Sequence, residues 1–296
     1  MPFIPESELI LHPNGSIYHL HLSPEDLADT VITVGDPERV PEVSKYFDSI
    51  EFKIAKREFV THTGHLGGKR LSVISTGIGT DNIDIVLNEL DALVNIDLNT
   101  RQPRENRRSL DIVRIGTSGS LRADLPLDSF VASAYAVGLD NLMHFYHYQN
   151  SLPEASLYDA LREHFEEIGR PPVQPYVFEG NAHLLKQIAA DWAQGITLTC
   201  PGFYGPQGRQ LIAKGKLGKQ WLDDLGKFKF KDLPLSNFEM ETAGIYGLSR
   251  TLGHRALSCS VLLANRITQQ FSANPQASIE RLIQAVLERI SAAPAV

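Results

Sequence analysis

Cysteine is scarce in this chain. Only Cys200 and Cys259 occur in 296 residues, and apolar or small neighbours flank each. No disulfide framework can be built from such a pair, so both read as buried free thiols rather than as a bridge or a nucleophile. Excess positive charge is missing as well: 28 Lys and Arg stand against 35 Asp and Glu, for a formal net charge of -7. No global cationic surface is available to attract nucleic acid or an anionic membrane, and any bound anion has to be held locally. No stretch approaches the ~18 apolar residues of a membrane span, and the N-terminal MPFIPESELILHPNG lacks a basic segment followed by an apolar run. The expectation is a cytoplasmic protein. His62 with His65 and His144 with His147 have neither the i, i+4 helical spacing nor the cysteine partners of a metal site, so no transition metal is expected.

What is present is apolar material for a full core, at 43% hydrophobic residues. The run 31–36 (VITVGD) suggests a buried strand, followed by a helix started by Pro37 and carrying Val40, Val43 and Phe47. Two more candidate strands precede Leu71–Ile74. Thr80 or Asp81 then caps a helix with Ile83, Val86, Leu87, Leu90 and Val94 on one face. Asp111–Ile115 reads as the next strand, running into a small-residue turn at 116–120. Helices are expected near 153–168, 181–193, 237–252 and 276–291, and strands at 129–137, 196–200 and 256–264. This alternation implies one α/β domain over 1–296: a central mixed, mainly parallel β-sheet flanked by helices on both faces. Residues 99–109, with Arg101, Arg104, Arg107 and Arg108 and no apolar periodicity, read as a solvated loop. Residues 202–235, rich in Gly and Lys, form a second excursion.

Backbone N–H groups at strand-to-helix turns are natural anion holders. Three glycine-rich turns qualify: Gly35-Asp36-Pro37 with Arg39 one turn on, Thr76-Gly77-Ile78-Gly79, and the stretch from Arg114 to Gly119. Each alone is weak, because glycine after a strand is usually just a turn. Arg114 is harder to dismiss, because a guanidinium inside an apolar strand is costly without an anionic partner. It is either in an internal ion pair or converges with Arg39 and the Thr117 hydroxyl on a small dianion such as phosphate.

The segments VGDPERV (34–40), KREF (56–59), STGIGT (75–80), RIGTSGS (114–120), FYGPQGR (203–209), NFEMET (237–242) and LLANR (262–266) occur in the order and approximate spacing seen in one family. The chain resembles the uridine phosphorylases of the nucleoside phosphorylase-I family over nearly its whole length. Compared with shorter bacterial members it looks extended around 96–110 and 140–175, and it has GTDN where many have GGPS. The resemblance implies phosphorolysis: phosphate attacks C1′ of a ribosyl cation on one side while the base leaves as an anion on the other.

By similarity, Gly35, Arg39, Arg114 and Thr117 hold phosphate, joined by Arg57 from a neighbouring subunit of a homodimer at least. Glu241 accepts the ribose hydroxyls, with Glu239 beside it and Met240 packed on the sugar; read without the family, these acids are simple charges at a helix start. His19 aligns with a histidine that crosses the dimer to the 5′ hydroxyl. Phe203, Gln207 and Arg209, with Ser118 and Gly119 nearby, take the base. Uracil presents O2 and O4 as acceptors and N3–H as a donor, which one amide and one guanidinium match. Phosphate is a co-substrate and no cofactor is implied. A monovalent cation near Glu58 and Ile78 is left open by the changed GTDN.

Purine phosphorylases and nucleosidases of the family place Ser-Asp where this chain has Asn265-Arg266, so purine activity is the runner-up. Hydrolysis is disfavoured, since three phosphate-directed arginines are unnecessary for water. A catalytically silent nucleoside-binding relative is the alternative from another class, against which stands the retention of every motif residue.

Overall fold

The computed structural model describes residues 3–292. Strand β1 (Thr30–Val34) leads into α1 (Arg39–Ser44); the hairpin β2 (Ser49–Lys56) and β3 (Phe59–Leu66), β4 (Lys69–Ser75) and α2 (Thr80–Asn95) follow. A small hairpin of β5 (Ile96–Asp97) and β6 (Gln102–Pro103) precedes the long β7 (Asp111–Ser120) and β8 (Phe130–Gly138). Next come α3 (Leu152–Ile168), β9 (Tyr176–Glu179), α4 (Ala182–Ala189), β10 (Ala193–Thr199), α5 (Lys219–Leu225) and β11 (Lys229–Phe230). The chain finishes with β12 (Leu233–Glu239), α6 (Thr242–Leu252), β13 (Arg255–Asn265), β14 (Gln270–Phe271) and α7 (Pro275–Ala292).

Apart from the β5–β6 hairpin, the strands form one mixed sheet in the order β11-β12-β10-β8-β13-β7-β1-β4-β3-β2, with β9 on β8 and β14 on β13. Alternate residues feed opposite faces, as the pleat requires: Val31, Ile112 and Ala256 point to α2 and α6, while Ile32, Val113 and Leu257 point to α1, α4 and α7. Helices therefore cover both faces. α3 and α5 cover the β8–β10–β12 wing through Leu157, Phe165, Trp221 and Leu225.

Several sequence expectations shift. "Mainly parallel" is too strong: β13–β8, β2–β3, β3–β4 and β12–β7 are antiparallel ladders. Residues 116–120 are not a turn but the second half of β7, paired in parallel with β13 up to Asn265↔Ser120. They also meet β12 at Phe238↔Gly119, so the sheet curls back on itself there. α1 starts at Arg39 and ends before Phe47, with Pro37 in the preceding turn, although Phe47 packs in the same core as Val40 and Val43. The N-cap of α2 is Gly79 at φ 98, and Thr80 is its first residue; glycine tolerates that backbone where a threonine or aspartate cap would be strained. The expected helix 237–252 begins only at Thr242, because 237–239 complete β12. α4 stops at Ala189, since β10 starts at Ala193. Residues 104–109 are exposed as expected, but the hairpin of β5 and β6 precedes them. No helix among the described residues is long and apolar enough to cross a membrane.

Candidate active site

The parallel register of β1, β7 and β13 brings the loops at their C-terminal ends together, which is where open α/β sheets place ligands. A cavity of about 920 Å³ opens there. Its lining includes Gly35 and Arg39 after β1 and Arg114, Thr117, Ser118 and Gly119 along β7. Arg114 is buried at 5% exposure. Its Nη2 donates to Glu241 Oε2 at 2.6 Å and lies 3.4 Å from Glu239 Oε2. Burial works against its charge, but the two carboxylates outweigh that and raise its pKa. The ion pair and the cavity position thus coexist, so the two readings of Arg114 do not exclude each other.

Arg39 is placed differently. It forms no ion pair among the described residues, and burial first, then the neighbouring Arg114 charge, lower its pKa. Two close guanidinia with one left unneutralised make an attractive seat for an anion. The Ser118 hydroxyl is buried without a hydrogen-bond partner among the described residues, and Thr117 is partly exposed on the same strand.

Sequence reasoning counted Gly116 only as part of a glycine-rich turn. A Cβ there would lie 1.7 Å from Arg114 Nη1, so only glycine lets the guanidinium fold back over its own strand. The Arg-x-Gly spacing within β7 was the available signal.

The end of β12 and the turn into α6 bring Glu239, Met240 and Glu241 to the cavity wall. Their roles divide. Glu239 Oε2 accepts the backbone N–H groups of Glu241 and Thr242 at 2.9 and 2.8 Å, and Oε1 accepts from Thr199 Oγ1. Its carboxylate therefore caps α6, which leaves it less free for a sugar than was expected. Glu241 accepts from Gly79 N–H at 2.9 Å through Oε1 and from Arg114 through Oε2. Burial raises the Glu241 pKa, Arg114 pulls it back, and the Glu239 charge raises it further. Met240 is partly buried beside it.

Phe203, Gln207 and Arg209 line the cavity as well. Gln207 sits in a 3-10 turn, Gly205–Gln207, and is buried at 3% exposure. Its Oε1 accepts from Arg209 Nη1 at 2.6 Å, while Arg209 also donates to Phe203 O at 2.7 Å. The Arg209 guanidinium lies 3.6 Å from the Phe203 ring centroid, so one face of that ring, expected to stack on a base, is taken by arginine. Burial and the nearby Arg266 push the Arg209 pKa down to about 10. Asn265 and Arg266, noted earlier only for what they replace, do separate work. Asn265 is tied into its own turn through Ile267 and Thr268 N–H and the Arg122 carbonyl. Arg266 donates to the Gln207 carbonyl at 3.1 Å.

Two expected residues stay outside the cavity formed by this chain. Arg57 is exposed in the β2–β3 turn at φ 55. His19 bonds Glu89 at 2.6 Å on α2. Glu58 and Ile78 do line the cavity, beside Asn82, and Ile78 is 68% exposed. No group of three or more His, Cys, Asp or Glu that could hold a metal occurs among the described residues.

A family model described as the phosphorylase superfamily matches residues 29–292. The chain belongs to the phosphorylase superfamily. Within it, the chain is 28% identical over 259 residues to a uridine phosphorylase of Thermococcus kodakarensis, covering 87% of this chain and 80% of that protein. It is 27% identical to a uridine phosphorylase of Haemophilus influenzae, covering 86% and 89%. A crystal structure of a Trypanosoma brucei nucleoside phosphorylase that shows uridine phosphorylase activity superposes with a TM-score of 0.85 at 30% identity, over 96% of this chain and 100% of that one. The α/β architecture expected from the resemblance is therefore that of the superfamily.

Proposed function

We propose that the chain is a uridine phosphorylase, converting uridine and phosphate reversibly into uracil and ribose 1-phosphate. The observation that carries this reading is that one cavity is lined together by Arg39 and Arg114, by the carboxylates Glu239 and Glu241, and by the amide and guanidinium of Gln207 and Arg209. Phosphate sits with Gly35, Arg39, Arg114 and Thr117, and one of its oxygens forms the new bond to C1′ as the bond from C1′ to N1 breaks. The electron pair leaves with the base, where Arg209 takes up the growing charge and Gln207 reads the polar edge. Glu241 accepts the 2′ and 3′ hydroxyls, with Met240 against the sugar. Phosphate is the co-substrate and no organic cofactor takes part.

Purine phosphorolysis needs an acid to protonate the ring. Where purine-type relatives carry Ser-Asp, this chain has Asn265-Arg266, with no carboxylate to give the proton, which favours a pyrimidine. A second subunit supplies Arg57 and His19, making a cytoplasmic homodimer at least, with 1–296 as one domain and 96–110 and 140–175 as additions. Glu58 and Ile78 are the place for a monovalent cation.

Incubating the protein with uridine, deoxyuridine, thymidine, cytidine and inosine, with and without phosphate, tests the reading. Phosphate-dependent release of uracil and ribose 1-phosphate is expected. Phosphate-independent cleavage, or inosine as the preferred substrate, overturns it.

A further inference from the structure

Two departures from the family pattern meet at the N-terminus of α2. One is Thr80 of GTDN, where many members have GGPS; the other is Asp140, which opens the stretch 140–175 read as an addition. Asp140 comes two residues after the end of β8, is 3% exposed and lines no part of the cavity. It forms no ion pair among the described residues. Its oxygens accept instead from the Tyr176 hydroxyl at 2.8 and 2.7 Å and from the Leu142 N–H at 2.8 Å. Burial pushes its pKa up, and these donors, together with the Thr80 hydroxyl, work against that.

Packing places Thr80 beside this acid independently. Thr80 is the first residue of α2 and is buried. Its methyl and the Leu142 side chain converge on Gly244 of α6, where a Cβ would stand 3.0 and 3.2 Å from them. The methyl thus packs on α6, which leaves the hydroxyl for Asp140. The preceding residue, Gly79, holds φ 98 and donates its N–H to Glu241 Oε1 at 2.9 Å. Glycine has little torsional preference of its own, so the direction of that N–H depends on what fixes Thr80. An acid that only fastened its own turn would be served by Tyr176 and the Leu142 N–H. The reach to Thr80 extends further, to the turn whose Gly77 and Ile78 wall the cavity.

We propose that Asp140 and Thr80 are positioning residues for Glu241: Asp140 fixes the Thr80 hydroxyl, Thr80 fixes the turn at Gly79, and the Gly79 N–H sets the plane of the carboxylate. This rests on the reading of Glu241 as the acceptor of the ribose 2′ and 3′ hydroxyls. Arg114 holds Oε2, so the Gly79 N–H is the second of two bonds that orient the group, and without it the carboxylate turns about the first. Misdirection of that kind weakens a contact to the sugar hydroxyls and leaves the rest of the nucleoside in place.

Hydrogen exchange at the Gly79 amide of the intact protein reports the turn without any substrate. Thr80→Val keeps the methyl packing and removes the hydroxyl, and should speed that exchange about ten-fold or more. Asp140→Asn should act likewise, the two together should do no more than either alone because they cut one contact, and Thr80→Ser should stay close to wild type. Kinetics supply the second readout. Thr80→Val and Asp140→Asn should each lower the ratio of kcat/KM for uridine over 2′-deoxyuridine about five-fold or more, whereas general loosening lowers both substrates equally. Unchanged exchange at Gly79 in Thr80→Val, or equal losses on the two nucleosides, overturns the inference, and Thr80→Val alone decides it should Asp140→Asn not fold. If the wild-type protein cleaves neither nucleoside, the proposed function fails, while exchange at Gly79 still decides whether Asp140 and Thr80 orient Glu241.

Discussion

Arg114 and Glu241 are each other's main partners at 2.6 Å, yet the proposed reaction asks one to hold phosphate and the other to hold ribose. Glu241→Gln keeps the shape and removes the charge, so kcat/KM for uridine should fall by ~10²-fold, and less for deoxyuridine. Phosphate KM should stay level or drop, because Arg114 is released from its carboxylate. Equal losses on both nucleosides would argue against a 2′ hydroxyl contact. On the base side, Arg209→Ala should cost ~10²-fold or more in turnover, because its contact strengthens as the base becomes an anion; an unchanged rate would remove this loop from base recognition. Gly116→Ala tests the cradle beneath Arg114. The added methyl would stand 1.7 Å from Nη1, so phosphate KM should rise by ~10-fold or more while the protein still folds.

On the scale of elements, α2 was easily legible: Ile83, Val86, Leu87 and Leu90 recur at helical spacing, and all four are buried. Fully burying such side chains contributes roughly 1.5–3 kcal/mol each before chain entropy, which is why periodicity betrays them. Some ends were close, as for α3 and α7, but others were not legible, since they depend on distant partners. β7 continues through glycines and serines only because β13 and β12 pair with it. α6 starts at Thr242 because Glu239 caps it. The side-chain types of the cavity could be read from the motifs, whereas the Arg209–Phe203 stack and the role of Arg266 are properties of the folded loops alone.

α3, in a segment that looked like an addition, is fixed by the buried Glu154. Its carboxylate accepts the Ser151 and Glu179 N–H groups at 2.7 Å and both terminal nitrogens of Arg250. Burial disfavours its charge, but these donors prevail and lower its pKa. Glu154→Ala should destabilise by roughly 2–4 kcal/mol, short of a fully buried pair because Arg250 is 36% exposed. The lower pKa in the folded state means that this contribution is present at neutral pH and is lost as pH falls through that pKa. Denaturant unfolding at pH 7 and under acid conditions checks both statements. Kinetics with uridine should be unaffected, since no residue of α3 lines the cavity.

For the whole molecule, the proposed sharing of sites predicts complementation. Arg39→Ala and Arg57→Ala oligomers should each be nearly inactive. In a mixed two-fold dimer one site carries both defects and the other carries none. Refolding the two together in equal amounts makes about half the dimers mixed, so about a quarter of wild-type sites should return. Mixtures no more active than their components, despite proven exchange, would place Arg57 in its own chain or in another role.

The closure of the sheet between Gly119 on β7 and Phe238 on β12 also sets a schedule. A ribosome adding roughly 5–20 residues per second needs about 6–24 s to go from the first of these residues to the second. For that interval the far end of β7 has neither β12 nor β13 beside it, and it presents bare N–H and C=O groups to any passing strand. Slowing translation over 120–240 therefore lengthens the exposure of the very segment that carries Thr117 and Ser118, and the yield of soluble protein should fall with that delay before any effect on the finished fold is felt.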